Sequence, residues 1–158
     1  MAERLLVIGG DAAGMGAASQ ARRLRPDLEI IALERGNWTS YSACGIPYFV
    51  GGEVRTLEEL VARSPDTFRD KYQIDVRLRH EAVEIDLDKQ QVVARDLTEG
   101  KNVEFGFDQL MIGTGARPAF PRVPGVDQPW IKGVQTLDDA DELVQYARTI
   151  SCKNVVVV

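Results

Sequence analysis

One sulfur in this chain stands in a setting suited to redox chemistry. Cys44 lies in the stretch Ser40-Tyr41-Ser42-Ala43-Cys44-Gly45-Ile46-Pro47-Tyr48, between two small residues. Pro47 suits the first turn of a short helix, which sets Cys44 near a positive helix end, where a thiolate is favoured. The other cysteine, Cys152, is far along the chain, so Cys44 has no neighbouring sulfur. A lone redox thiol must pair with something else: a small thiol, an oxygen as sulfenate, or a sulfane sulfur. A free cysteine is more often an inert core residue, and at this point both readings stand. Cys152, just ahead of an aliphatic run, reads as core or near-core.

A second group of residues could hold a dinucleotide. Gly9 and Gly14 take the first and third positions of the Gly-x-Gly-x-x-Gly spacing, in which backbone amides and a helix N-terminus receive a pyrophosphate. The middle position is Asp11, an anion that suits the site only if its side chain turns away or caps the helix. Glu34 follows about 20 residues beyond the last glycine, where a carboxylate can accept hydrogen bonds from ribose hydroxyls. The competing reading is a plain glycine turn with Glu34 exposed. Gly16, Gln20 and Arg23 fall within about 60° of one another on a helix, at about 100° per residue; spacing alone makes them an ordinary polar face. His80, between Arg79 and Glu81, reads as solvated.

The elements that must position these residues follow from the hydrophobic pattern. Leu5-Leu6-Val7-Ile8 within Arg4–Ile8 reads as a parallel strand buried on both faces. Ala12 to Leu24 read as a helix of small residues stopped by Pro26, with Gly14, Ala17, Ala21 and Leu24 on the side facing the sheet. Glu29 to Leu33 form a second buried strand that ends at Glu34. Leu57 to Tyr72 look helical with a restart at Ser64-Pro65. Strands are expected near Asp75–Arg79, Glu81–Asp86, Gln91–Asp96 and Val103–Phe107, as hairpins with polar turns. Phe107 to Thr114 read as a last core strand entering the glycine turn Gly113-Thr114-Gly115-Ala116. Proline-rich residues 117–136 look like a connector, Leu137–Ile150 an acidic amphipathic helix, and Val155–Val158 another buried strand. The fold class is thus α/β, a Rossmann-like parallel sheet with helices on both faces and an inserted antiparallel β-meander.

Composition fits a globular protein, 44% hydrophobic and 27% charged. Lysines and arginines number 19 against 24 acidic residues, a net charge of −5, which argues against broad binding to nucleic acid or anionic membranes. No stretch reaches the length of a membrane span and no signal segment is evident, so a cytoplasmic location is the default expectation. Two distant cysteines argue against a disulfide framework or a metal cluster.

The cysteine stretch resembles the single-cysteine branch of the pyridine nucleotide–disulfide oxidoreductases, which includes coenzyme A disulfide reductase, NADH oxidase and peroxidase, and coenzyme A persulfide reductase. Thr114-Gly115-Ala116-Arg117-Pro118 resembles that family's second flavin motif, with Phe107 to Ile112 standing as its preceding strand, and the likeness runs from Arg4 to Val158. The resemblance implies FAD bound near Gly9, Gly10, Ala13, Gly14, Glu34, Arg35, Ala43, Val83, Thr114, Gly115 and Ala116, with Cys44 as the redox sulfur and NAD(P)H as co-substrate. It matches Gly16, Gln20, Arg23 and Ser40 to coenzyme A contacts. Residues 1–117 would then form an FAD-binding domain, 118–136 a connector, and 137–158 the start of an NAD(P)H-binding domain. The family's further segments, including the rest of the FAD domain and a dimerisation domain, are expected beyond Val158 in a homodimeric full-length enzyme. Residues 1–158 alone are expected to retain little FAD.

Overall fold

A computed structural model of the chain describes residues 3–151 and 153–157. The chain forms two compact units. One runs to Tyr41 and resumes over Val61–Gly115; the other comprises Ser42–Leu60 and the chain from Ala116 onward.

The first unit is built on β1 (Arg4–Ile8), whose aliphatic run is buried on both faces. Helix α1 (Ala12–Leu24) leads to β2 (Glu29–Leu33), which pairs with β1 in parallel, Leu6 opposite Ile31. Helix α3 (Pro65–Tyr72) follows the short helix α2 (Ile46–Val50) of the other unit and leads to β3 (Ile74–Arg77), parallel to β2. Ser64 caps α3 by accepting the Thr67 amide at 3.1 Å, with Pro65 next to it as expected. At its other end Arg22 donates to the Tyr72 and Gln73 carbonyls, at 2.9 and 2.8 Å, satisfying groups a helix terminus leaves open.

Next come β4 (His80–Asp86), β5 (Gln91–Asp96) and β6 (Lys101–Gly106), an antiparallel meander, and then β7 (Gln109–Ile112), which returns to pair in parallel with β1. The parallel sheet has the order β3-β2-β1-β7. The order in which strands are added therefore reverses at β1, to one side through β2 and β3 and to the other with β7, which makes the carboxyl ends of β1 and β7 a switch point of the kind where α/β sheets bind ligands.

The period of two divides β1 between two cores. Leu5 and Val7 meet Met15, Ala18, Phe68, Ile74 and Val76 on the face covered by α1 and α3. Leu6 and Ile8 meet Val92, Ala94 and Phe105 on the other face. The α/β class, the parallel sheet and the meander are as expected. Helices were expected on both faces, whereas the described core of the second face is closed by the meander, whose inward residues repeat every second position.

Other details differ from the sequence reading. The run ending at Arg79 is the edge of the parallel sheet and not a hairpin arm, because Ile74 and Val76 alternate into the helix-side core. Helix α1 meets the sheet along Gly14, Met15 and Ala18, so Ala17 is half-buried and Leu24, at the helix end, is 70% exposed. His80 is half-buried rather than solvated, its ring edge-on to Phe105 and its Nδ1 2.8 Å from the Leu78 carbonyl oxygen.

The second unit holds two 3-10 turns (Ala43–Gly45 and Leu57–Leu60), α2, and α4 (Leu137–Thr149), against which α2 lies. Thr136 and Asp139 cap α4 reciprocally: Thr136 Oγ1 accepts the Asp139 amide and Asp139 Oδ2 accepts the Thr136 amide. Residues 117–136 hold no helix or strand. Val155–Val157, expected as a buried strand, are exposed and unpaired, since no described strand lies beside them to complete a ladder. The reading of Cys152 falls outside the described residues. Among the described residues no helix is long and apolar enough to cross a membrane.

Two glycines of α1 test this packing in opposite directions. A Cβ at Gly14 would overlap the Gly9 carbonyl oxygen, whereas at Gly16 it would meet open space. Gly14→Ala is expected to cost about 2–3 kcal/mol by overpacking, and Gly16→Ala to add about 0.5–1 kcal/mol by removing helix-interior flexibility. Urea melts of the two variants read both effects.

Candidate functional site

In the first unit the site begins where the parallel strands stop. The ladder continues one bond past each: the Gly9 amide donates to the Leu33 carbonyl at 2.9 Å and the Gly113 amide to the Ile8 carbonyl at 2.7 Å. Gly9 has φ +110°, in the region open to glycine, and its missing side chain admits the Gly113 carbonyl. A Cβ at Gly113 would in turn lie 3.1 Å from the Gly14 nitrogen and 3.4 Å from the Ala13 Cβ. The two glycine turns of the sequence thus pack together through Gly113, and Thr114 and Gly115 are exposed. The residue spacing gives no sign that the Gly113 backbone approaches Gly14.

Glu34 ties this loop to the end of β2. One carboxylate oxygen accepts the Gly10 amide at 2.8 Å and the other the Gly36 amide at 2.7 Å. The residue is half-buried, and a carboxylate can accept more bonds than these two. The His80 amide donates to the Glu34 carbonyl at 2.9 Å, fixing the first residue of β4 beside the site. Val83, further along β4, is exposed at a bulge where the register shifts between Ala82 and Glu84. The Arg35 side chain is exposed.

Asp11 precedes α1 but its side chain caps neither Ala13 nor Gly14. It accepts the Tyr41 amide instead, at 3.2 Å. The first turn of α1 holds no acidic residue and no side chain caps it, an arrangement that suits an outside anion. Burial pushes the Asp11 carboxyl up from its ordinary value of 3.8; the Tyr41 amide pulls it back and Glu34 adds to the rise. Thr39, the one fully buried polar residue described, donates its hydroxyl to the Gly10 carbonyl at 2.5 Å, and the Ser40 amide donates to the same oxygen at 3.1 Å. Nothing in the residue pattern marked Thr39.

Gly16, Gln20 and Arg23 share an exposed face of α1, where Arg23 donates to Gln20 at 3.3 Å. Ser40 belongs instead to the segment bound to the glycine loop. In the second unit Cys44 is an exposed, free thiol. It sits in the 3-10 turn that runs into α2, with Pro47 in the first turn of that helix as the sequence suggested. Gly45 packs under Leu60, where a Cβ would overlap the leucine side chain. Ala43 and Ala116 are exposed, and Gln135 donates to the Ala116 carbonyl.

Residues 3–158 match the family described as pyridine nucleotide-disulphide oxidoreductase. The chain belongs to this family. It is 35% identical, over its whole length, to the NAD(P)H coenzyme A polysulfide/persulfide reductase of Pyrococcus horikoshii, of which it covers 34%. It is 30% identical over 98% of its length to the coenzyme A disulfide reductase of Staphylococcus haemolyticus, again covering 34%. Among solved structures, the water-forming NADH oxidase from Lactobacillus brevis bound to NADH superposes with a TM-score of 0.84 at 29% identity, over 92% of this chain and 32% of that one. The chain spans about a third of the length of the curated relatives it matches.

As a member of an oxidoreductase family with these glycine turns, the protein offers two checks on the site. Glu34→Ala leaves the Gly10 and Gly36 amides without their acceptor and is expected to destabilise the fold by about 1–3 kcal/mol, read by urea melts. Asp11, with its carboxyl raised, lends most stability below its ordinary pKa and loses that contribution as pH rises through the folded value. The stability of Asp11→Asn relative to the unaltered protein should therefore increase as pH rises from about 4 to 7; a difference that is flat with pH would remove burial of this charge from the account.

Proposed function

We propose that the protein works in FAD-dependent, NAD(P)H-linked reduction of a disulfide, coenzyme A disulfide or a persulfide, with Cys44 as its one redox sulfur. The observation that carries this reading is the exposed, unpaired Cys44 thiol at the head of a proline-started helix, in a chain of this family. The residues present fit FAD: the loop is shaped by glycines whose side chains would collide, and the first amides of α1 carry no side-chain cap. Gly9, Gly10, Ala13 and Gly14, with Thr114, Gly115 and Ala116, would take the pyrophosphate. Glu34 would accept the ribose hydroxyls, Arg35 and the backbone at Val83 would face the adenosine end, and Ala43 the flavin. In domain terms, 1–117 is the FAD-binding part, 118–136 a connector and 137–158 the start of an NAD(P)H-binding domain, within a cytoplasmic homodimer.

Cys44 reacts as a thiolate. It attacks one sulfur of the substrate, the S–S bond breaks, one thiolate leaves and takes a proton, and Cys44 remains in a mixed disulfide. Bound FAD supplies the electron pair, drawn from NAD(P)H, that release of the second thiol requires. The exposed face of Gly16, Gln20 and Arg23, together with Ser40, is assigned to coenzyme A, whose phosphates suit the Arg23 guanidinium. The kinship with NADH oxidases favours a second reading, in which Cys44 cycles through a sulfenate and the oxidant is a peroxide or oxygen.

Cys44→Ser in the FAD-loaded protein is expected to keep the flavin absorbance and to lose disulfide and persulfide turnover by more than about 1,000-fold, the scale on which loss of a covalent nucleophile is felt. Cys152→Ser should stay within a factor of about two, within the scatter of a change away from the chemistry. Equal losses in both variants, or none in either, would count against Cys44 and leave a flavin-binding module with an inert cysteine. Dimedone labelling of Cys44 after peroxide treatment, without turnover of disulfide, would select the sulfenate reading.

A further inference from the structure

The turn that carries Cys44 has an outward and an inward side. Ser42, Ala43 and Cys44 are exposed, whereas the next two residues, Gly45 and Ile46, are buried. The turn closes on itself: the Gly45 amide donates to the Ser42 carbonyl at 2.9 Å and the Ile46 amide to the Ala43 carbonyl. Leu60 meets it on both flanks of the sulfur. The Leu60 carbonyl accepts the Ser42 amide at 2.8 Å, before Cys44 in the chain. After it, the Leu60 side chain lies so close to Gly45 that an added Cβ would overlap its Cδ2 and stand 3.3 Å from its Cγ. Leu60 ends the second 3-10 turn and is 7% exposed. Every residue named here belongs to the second unit. Backbone bonds close the turn but do not decide which way the thiol faces, and a free cysteine is a small apolar group that favours burial. With the leucine in place, the apolar space beneath the turn is already filled.

We propose that Leu60 is a positioning residue for Cys44: its carbonyl fixes the turn before the sulfur and its side chain occupies the apolar space after it, which keeps the thiol at the surface where a disulfide can reach it. The inference rests on the reading of Cys44 as the redox sulfur. Thiolate attack on a disulfide depends on access to the thiol as well as on its ionisation. Truncation of Leu60 leaves a cavity beside Gly45, because a packed site relaxes only in part, and the Cys44 side chain, one residue away, can turn into it. A Cβ at position 45 points into the same space. Gly45→Ala should therefore refill what Leu60→Ala empties, whereas a second substitution would not mend a general loss of stability.

The test uses the chain carrying Cys152→Ser, which leaves Cys44 as its only thiol. The rate read is that of mixed-disulfide formation with coenzyme A disulfide, in which Cys44 attacks one sulfur and one coenzyme A thiol leaves; circular dichroism checks the fold. Leu60→Ala is expected to slow Cys44 by about fivefold or more, as access is lost. Leu60→Met, which keeps the volume, should stay within about twofold of the parent. Gly45→Ala added to Leu60→Ala should recover most of the lost rate. Leu60→Val, a milder truncation, should fall between Ala and the parent, and it carries the test if the alanine variant does not fold. An unchanged rate in both Leu60→Ala and Leu60→Val, an equal slowing in Leu60→Met, or no recovery in the double variant would each overturn the proposal. Retention of disulfide turnover by FAD-loaded Cys44→Ser would instead remove the redox reading, and the positioning role would fall with it.

Discussion

Where β1 and β7 end, the backbones of Gly9, Gly14 and Gly113 approach so closely that an added Cβ at Gly9 or Gly14 would overlap a neighbouring carbonyl. The rest of the first unit depends on that approach. It lets α1 start directly over the end of β1, which brings the helix dipole to the carboxyl edge of the sheet. It also draws the turn after β7 against the turn after β1, although the two lie far apart in the chain. A larger residue at these positions would push helix from sheet and part the two turns. Glu34 and Thr39 then add polar restraints to a loop whose shape contact has already set.

The sheet is held differently on its two faces. Toward α1 and α3, the core is helix on sheet, with Phe68 wholly buried among Met15, Ile30 and Ile74. Toward the meander, it is sheet on sheet, and Val92, Ala94 and Phe105 fill the space over Leu6, Ile8, Ile31 and Leu33. Because β4 begins on the backbone of Glu34, the meander also braces the end of β2 from which the site projects.

Much of this was legible in the residue pattern, for a physical reason. Uninterrupted aliphatic runs bounded by glycine and proline have few alternatives, so β1, α1 and β2 fall where the runs at Arg4–Ile8, Ala12–Leu24 and Glu29–Leu33 placed them. Ser64-Pro65 announced the start of α3 because a cap and a first-turn proline act locally. Periodicity tells which residues share a face, but not what covers that face. Hence the pattern reads Val76 into a hairpin, sets His80 in solvent, and assigns helices to the face the meander closes. For the same reason Leu24 looked like a core residue although the helix leaves the sheet before it, and four valines looked like a strand whose partner the pattern cannot supply. The closeness of Gly113 to Gly14 and the burial of Thr39 are products of tertiary approach, and no local signal encodes them.

The pairing of β7 with β1 sets Leu110 beside Leu6, across most of the unit's length. Contacts between such distant residues carry a loop-closure cost and form slowly compared with local ones. The meander shortens the effective loop, since β4, β5 and β6 assemble from neighbours in sequence and can fold on their own timescale. The second glycine turn is carried on β7, so the anion cradle exists only where this long-range pairing has formed, and local structure alone does not make a place for a ligand.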